Sequence, residues 1–443
     1  MENMQNKNML DRINERISQS VTFKLISIGI LILLLLIPKT MINDLIIERE
    51  RRMEDTIHEV TNMWSGSQTI SGPILTVPYK VYYESEDKKT INEIIRNATF
   101  LPEKLTIESN VEPEVRYRGI FKVIVYKAKL RLEGNFAVPD FTEWGFEDKD
   151  ILWQKAVLNI GINDLRGIEE QVFLHYHDQK QPFQPGTMES SLINSGIHLS
   201  LRESYNLFFN HDFSVDISLR GSEELYFVPI GKNTEVTMTS SWNDPSFQGA
   251  FPTQQSEITK NGFKVKWQVL HFNRNYPQSW TTAKYDLDES KFGVNLLVSA
   301  DHYQKSMRTS KYSILIISLS FLMFFLIEVT QKLRIHAFQY ILIGLALLIF
   351  YTLLLSISEH LGYNVAYLVS GISVIGLVSL YSYAVLDNKR FAILLAGSLT
   401  VIYGFIFIII QIETYALLVG SIGLFIILAM TMYYTRKISW YRT

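Results

Sequence analysis

The chain has 443 residues, 47% of them apolar, with 42 Lys and Arg against 44 Asp and Glu, a formal net charge of −2 and no cysteine. Near-neutral charge, without a basic stripe interleaved with stacking aromatics, excludes the electrostatic footprint of a nucleic-acid binder. The lack of cysteine excludes disulfides, thiolate metal sites and cysteine nucleophiles.

The apolar residues are unevenly spread. A bilayer core about 30 Å thick needs roughly 20 helical residues, because every backbone polar group must be satisfied within the span. Behind a polar segment, 1–21, the first such run is 22–42, built on "LISIGILILLLLI" and closed by Pro38 and Lys39. The following "PKTMINDLIIERERR" has no small-x-small cleavage site, so the run reads as a retained anchor rather than a signal peptide. Residues 43–64 place Leu45, Ile46, Met53, Ile57 and Val60 at helical spacing among charges, which predicts a juxtamembrane helix.

From residue 65 the period changes to two, in "ILTVPYKVYY", "GIFKVIVYKAKLRLEGNF", "HDFSVDISLRG" and "GFKVKWQVLHF". Alternating β-branched and aromatic runs bounded by turn residues predict antiparallel strands with one buried face. Residues 65–310 therefore read as mainly β and sandwich-like, long enough for one large sandwich or two smaller ones. His175 and His177, two apart on a predicted strand, share a face, but without a third ligand at motif spacing they read as a solvated face. Asp164, Glu169 and Glu170 read the same way, "WSGSQ" lacks the pattern of a nucleophile elbow, and no Gly-rich phosphate loop follows a strand. No catalytic, cofactor-binding or metal-ligating residue is assigned, and no enzyme is expected.

Five further spans follow, at about 311–331, 337–357, 363–386, 391–411 and 415–435, with a short tail at 436–443. Together with the anchor they predict a six-span membrane protein, one span N-terminal and five C-terminal in a tight antiparallel bundle. Lys7, Arg12, Arg16, Lys24, Lys332, Arg334, Lys389, Arg390, Arg436, Lys437 and Arg442 all fall on one side, which predicts cytoplasmic termini and residues 43–310 outside. Glu328 stands four residues before Lys332, the favoured order for a helical ion pair. His336 and Gln339 occupy the matching end of span three, so these four residues are expected to form a polar clasp joining spans two and three. Thr352, Ser356, Glu359 and Tyr363 recur at steps of four, three and four, with His360 adjacent. That spacing predicts one polar face near the outer end of span three, either an interface or a proton- or ligand-handling site. Ala396, Thr400 and Gly404 form a small-residue row expected to pack helices. No proline interrupts spans two to six, which disfavours a transporter with broken helices; a transporter-like bundle with an accessory outside domain is the alternative.

Several blocks together resemble the CreD family of Gram-negative inner-membrane proteins, also described as cell envelope integrity proteins. They are "SGPILTVPY", "GKNTEVTMTSSWNDPSFQGAFP" followed by "GFKVKW", "SKYSILIISLSFLMFFLIE" and "HAFQYILIGLALLIFYTLLLSISEHLGY". The resemblance implies an inner-membrane protein with a periplasmic domain, linked to envelope stress and integrity. It implies no established reaction and carries over no catalytic residue. Within the shared "WNDPSFQGAFP", Trp242, Pro245, Ser246, Phe247 and Gly249 are expected to make a fold-defining turn or a contact surface. The expected partners are the lipid bilayer and an envelope protein or cell-wall component.

Overall fold

The first helix, α1, runs unbroken from Val21 to Trp64 in the computed structural model. The model describes residues 21–84, 91–188, 192–202, 208–209, 211–296, 301–331, 335–412 and 415–436. Lys332, and with it Lys7, Arg12, Arg16, Arg334, Lys437 and Arg442, lies outside the described residues. Pro38 does not close α1 as the sequence suggested. Proline removes one donor and crowds the preceding turn, but in an apolar run the intact ladder on both sides keeps the helix the only satisfied backbone form. Thr40 Oγ1 donates to the Ile37 carbonyl at 2.7 Å beside it. Predicted anchor and juxtamembrane helix are thus one element. It contributes residues to both units of the chain, one drawn from Met1–Met53 with Ser299–Thr443 and one from Glu54–Val298.

The first unit holds α2 (Asp301–Lys311), α3 (Ser313–Gln331), α4 (Ala337–Leu361), α5 (Tyr363–Leu386), α6 (Lys389–Gln411) and α7 (Ala416–Thr435). All but α2, together with α1, are long and apolar enough to cross a membrane. Three contacts tie α1 to this unit: Lys24 to Glu328, Leu35 over Gly344, and Asn43 to Ser310. Lys24 and Asn43 are ~28 Å apart along a helix axis, close to the thickness of the hydrocarbon core. The bundle is looser than expected at its far end. Described residues of α7 include none that is buried, and the helix leans on α6 through Gly423 and Phe405. Thr400 and Gly404 face outward, whereas Leu395, Leu399, Tyr403 and Ile406 form the buried stripe of α6.

The second unit is built on two sheets. In one, the spatial order is Ser246–Gly249, Phe292–Asn295, Glu224–Phe227, Gln68–Glu84, Val157–Ile162, Gly196–Ser200 and Gln184–Pro185, with Ile91–Phe100 also pairing on Gln68–Glu84. In the other it is Gln255–Thr259, Gly262–Leu270, Asn233–Ser240, Lys104–Arg118, Phe121–Asn135, Phe213–Ser222, Phe173–Tyr176 and Gln179–Pro182. The strands are not all antiparallel. Gln68–Ile70 runs parallel to Leu225–Phe227, and Asn233–Ser240 runs parallel to Lys104–Val111. Period two is common to both pairings, so alternation could not separate them. One core takes Ile70, Leu158 and Phe292 from the first sheet and Ile107, Tyr126, Val215 and Trp267 from the second. Val157–Ile162 is buried at every position, so both faces of the first sheet are covered there.

The segment around Phe247 closes the sandwich. Ser246–Gly249 is an edge strand on Phe292–Asn295, yet the Phe247 ring stands edge-on to Phe263 and Trp267 of the other sheet, at 5.6 and 5.7 Å. Trp242 Nε1 donates to the Asp244 carbonyl at 2.9 Å, shaping the turn through Pro245. Gly249 has φ of 112°, and a Cβ there would lie 2.3 Å from the Lys291 carbonyl oxygen. Gly249→Ala is therefore expected to destabilise the β unit by about 1–3 kcal/mol, read as a lowered tryptophan-fluorescence transition of the full-length protein in detergent. Exposed Ser246→Ala should stay within about 0.5 kcal/mol of wild type.

Candidate functional site

A helix end leaves its last carbonyls without intrahelical partners. At the end of α1 the sandwich supplies them. Ser222 Oγ donates to the Ser65 carbonyl at 2.8 Å, and Arg166 donates to the Asn62 carbonyl at 2.9 Å. The buried Gln68 amide donates to Ser65 Oγ and to the carbonyls of Asp164 and Arg220, each at 3.0 Å, and accepts from Asp164 N–H at 3.2 Å. Asp164 accepts from Gly66 N–H at 2.9 Å and holds Arg166 through both carboxylate oxygens, at 2.9 and 2.7 Å. Trp64 lies against the guanidinium groups of Arg116 and Arg220, at 4.3 and 5.0 Å from the ring centre. Asp164 is thus part of a joint, not the solvated carboxylate that the sequence suggested. Arg166, together with the Gly66 and Arg166 amides, holds its carboxyl well below the usual carboxylate range.

In the membrane unit Glu328 is 3% exposed. Its Oε1 accepts from Lys24 Nζ at 2.6 Å and Ile335 N–H at 3.1 Å, and its Oε2 accepts from Tyr340 O–H at 3.1 Å. The partners come from α1, from Ile335 just before α4 and from α4 itself. His336 and Gln339 serve a different purpose, as a reciprocal cap on α4. Phe338 N–H donates to His336 Nδ1 at 3.2 Å, and His336 N–H donates to Gln339 Oε1 at 2.9 Å. Sequence spacing could not find Lys24, 304 residues away. The available signal was energetic: a carboxylate at a membrane helix end needs a cation at its own depth.

The polar face proposed on span three divides. α4 ends at Leu361, Gly362 turns the chain with φ of 77°, and Tyr363 opens α5, so Tyr363 does not extend the face of α4. Thr352 donates to its own helix at Ile349, while Ser356 and His360 are exposed. Glu359 accepts from Tyr303 O–H at 2.9 Å, and Tyr363 O–H pairs with Thr309 Oγ1 at 2.6 Å. Both partners lie on α2, a polar helix that hydropathy could not assign to the bundle. Burial, and the Glu359 carboxylate that accepts its proton, push the Tyr303 phenol far above its ordinary range.

Two surfaces of the β unit complete the set. His177 sits just beyond the strand in a two-residue turn with φ of 49°, so it leaves the face that His175 holds. With Lys104, Glu133 and Asp212, the two histidines line an open cleft of about 380 Å³, and the His177 and His211 rings are 4.3 Å apart. Among the described residues no three His, Asp or Glu side chains gather as a metal site. Elsewhere the hairpin of Gln68–Glu84 with Ile91–Phe100 runs past the core. Tyr82 and Ile95 share one face and Tyr83 and Ile94 the other, and all four are 42–50% exposed. Beyond Ser279–Trp280, which pairs with Thr99 and Phe100, no described strand covers the outer edge of residues 91–98.

Three substitutions separate these roles. Glu328→Gln should weaken the bundle by about 1–3 kcal/mol, and a double-mutant cycle with Lys24→Met should show coupling of about 1 kcal/mol or more, both read from thermal denaturation in detergent. Because the Asp164 carboxyl is depressed in the folded protein, its contribution is complete above the ordinary carboxylate range and is lost as pH falls through the depressed value. Asp164→Asn should lower the unfolding temperature at pH 7 and flatten its decline in acid; an unchanged acid profile would contradict the assignment.

The family model described as "Inner membrane protein CreD" matches residues 20–441. The inner membrane protein CreD of Escherichia coli (strain K12) is 33% identical over 429 residues, 95% of this chain and 93% of that one. With six membrane-length helices and a two-sheet unit among its described residues, the chain belongs to the CreD family of inner membrane proteins.

Proposed function

We propose that this is a non-enzymatic protein of the cell envelope, in which a periplasmic β unit docks an envelope component or protein partner and the helices anchor it, in the service of envelope integrity or the response to envelope stress. The observation that carries this reading is the hairpin at 79–84 and 91–98, whose apolar side chains are exposed on both faces beside an uncovered strand edge. Sheet edges are normally blunted because unpaired N–H and C=O groups recruit another strand. Here Tyr82, Tyr83, Ile94 and Ile95 add the alternate side-chain anchors that strand addition uses for specificity. The distribution of Lys and Arg supports placing both termini in the cytoplasm and the β unit outside.

A second reading, a transporter-like bundle with an accessory β unit, draws support from the Glu359–Tyr303 pair and the polar side chains buried near it. Glu359-dependent movement of protons or a solute in liposomes would put that reading first.

The docking reading is tested with a photoreactive residue placed at Tyr82 or Ile94 in intact cells, with exposed Ser246 as control. A discrete adduct with one envelope protein or cell-wall fragment is expected at the hairpin and not at Ser246. Capture of lipid alone at both hairpin positions would overturn it.

A further inference from the structure

The membrane unit contains a run of buried polar residues, only some of which fasten one helix to another. Along α2 and the start of α3, Tyr303, Ser306 and Thr309 recur at steps of three, Ser310 and Ser313 continue the same side, and all five are buried. They share one helix face. On the opposing helices Tyr351, Tyr363, Tyr367, Ser370 and Tyr403 are buried as well. Ring contacts join them: Phe350 touches Tyr351, Tyr367 and Tyr403 at 5.0, 5.2 and 4.7 Å, and Tyr363 meets Tyr367 at 5.8 Å. Some of these hydroxyls are satisfied, as in Tyr363 with Thr309 and in Tyr367, which donates to the Tyr403 carbonyl at 2.7 Å. The hydroxyls of Ser306, Ser313, Tyr351, Ser370 and Tyr403 have no hydrogen-bond partner among the described residues.

Unsatisfied hydroxyls are costly in a low-dielectric interior, and three of these, those of Tyr351, Ser370 and Tyr403, gather at one depth. By helical rise, Tyr351 lies ~15 Å from the end of α4, Ser370 ~11 Å from the start of α5 and Tyr403 ~12 Å from the end of α6. Gly371, beside Ser370, is buried, yet a Cβ built on it would meet nothing within 4 Å. There is room at the level of the unpartnered groups.

We propose that these hydroxyls line a binding site within the bundle for a small uncharged solute bearing hydroxyl groups, of which water is the smallest. A hydroxyl both donates and accepts, so its complement is a group that does the same, not a bare cation or anion. The carboxylate of the seam, Glu359, already accepts from Tyr303. The aromatic faces around Phe350 suit the C–H surface of such a solute. The site is independent of the docking hairpin and uses the placement of the β unit outside only to say which side it opens to.

The natural chain has no cysteine, so single cysteines can be read cleanly in the full-length protein. Ser370→Cys and Gly371→Cys, treated in right-side-out vesicles with a charged, membrane-impermeant methanethiosulfonate, should react roughly tenfold faster than Ile372→Cys, because lipid excludes the ionic reagent. Ile372 is 71% exposed on the outer surface of the same helix turn. Molar glycerol, as the solute probe, should slow the reaction at Gly371→Cys. Reaction only in inverted vesicles would keep the site and overturn the assigned orientation; reaction as slow as Ile372→Cys in both orientations would overturn the site. Tyr351→Phe and Tyr403→Phe provide a readout without cysteine. Each should lower the unfolding temperature if its hydroxyl is solvated, whereas a rise in both would mean a dry interior and would also overturn the proposal.

Discussion

A single side-chain amide, that of Gln68, fixes where the first helix stops and the sandwich begins. It reads Ser65 at the helix end, Asp164 beside the strand Val157–Ile162 and Arg220 on the strand Phe213–Ser222. Asp164 and Arg220 lie 96 and 152 residues from Gln68 along the chain, and the strands beside them belong to different sheets. A buried network of this kind is stable only when every member is satisfied. Asp164 completes it by accepting from the Gly66 amide and the Arg166 guanidinium. The arrangement places the first strand, Gln68–Glu84, and with it the three strands that pair on it. The long strand then outruns the core, and its far end becomes the exposed hairpin on which docking rests. The joint lies at one end of this strand, and the hairpin proposed for docking is formed at its other end with the next strand, Ile91–Phe100.

The membrane unit depends on comparable polar fastening at several depths. Lys24 with Glu328, Leu35 over Gly344 and Asn43 with Ser310 hold α1 to the bundle across a hydrocarbon thickness. Lipid offers no hydrophobic drive for helices to associate, so hydrogen bonds and close packing must do it. Glu328 illustrates the balance: three donors surround it, one of them a cation, and the lysine keeps partial contact with the surroundings. The hydroxyls near Gly371 exceed what fastening requires.

Much of this was legible in the sequence, for identifiable reasons. The six spans follow from hydropathy, and the mainly β nature of the middle from alternation, because Asn233–Ser240 and Gly262–Leu270 each bury one face. The fused helix was missed because Pro38 is a weaker barrier within an apolar span than in a soluble helix. α2 was missed because its buried face is polar, so neither hydropathy nor an apolar stripe announced it. Parallel pairing, the partnership of Glu328 with Lys24 and the capture of Asp164 are long-range facts that spacing cannot carry. Of the candidate residues, Glu328, Glu359 and Tyr363 meet partners from distant segments, His336 and Gln339 form a local cap, and Phe247 and Gly249 belong to the closure of the sandwich. Lys332 lies outside the described residues.

The central claim is that the strand edge at 91–98 is a docking edge while the joint is permanent structure. Amide hydrogen exchange tests both at once, comparing the purified protein with the same protein in native membrane vesicles that retain their envelope partners. The account predicts that Gly66 and Asp164 amides are protected in both preparations, whereas outward amides of residues 91–98 exchange freely when purified and slow in the native membrane. Equal exchange at 91–98 in the two preparations, with the joint protected, would contradict docking at this edge.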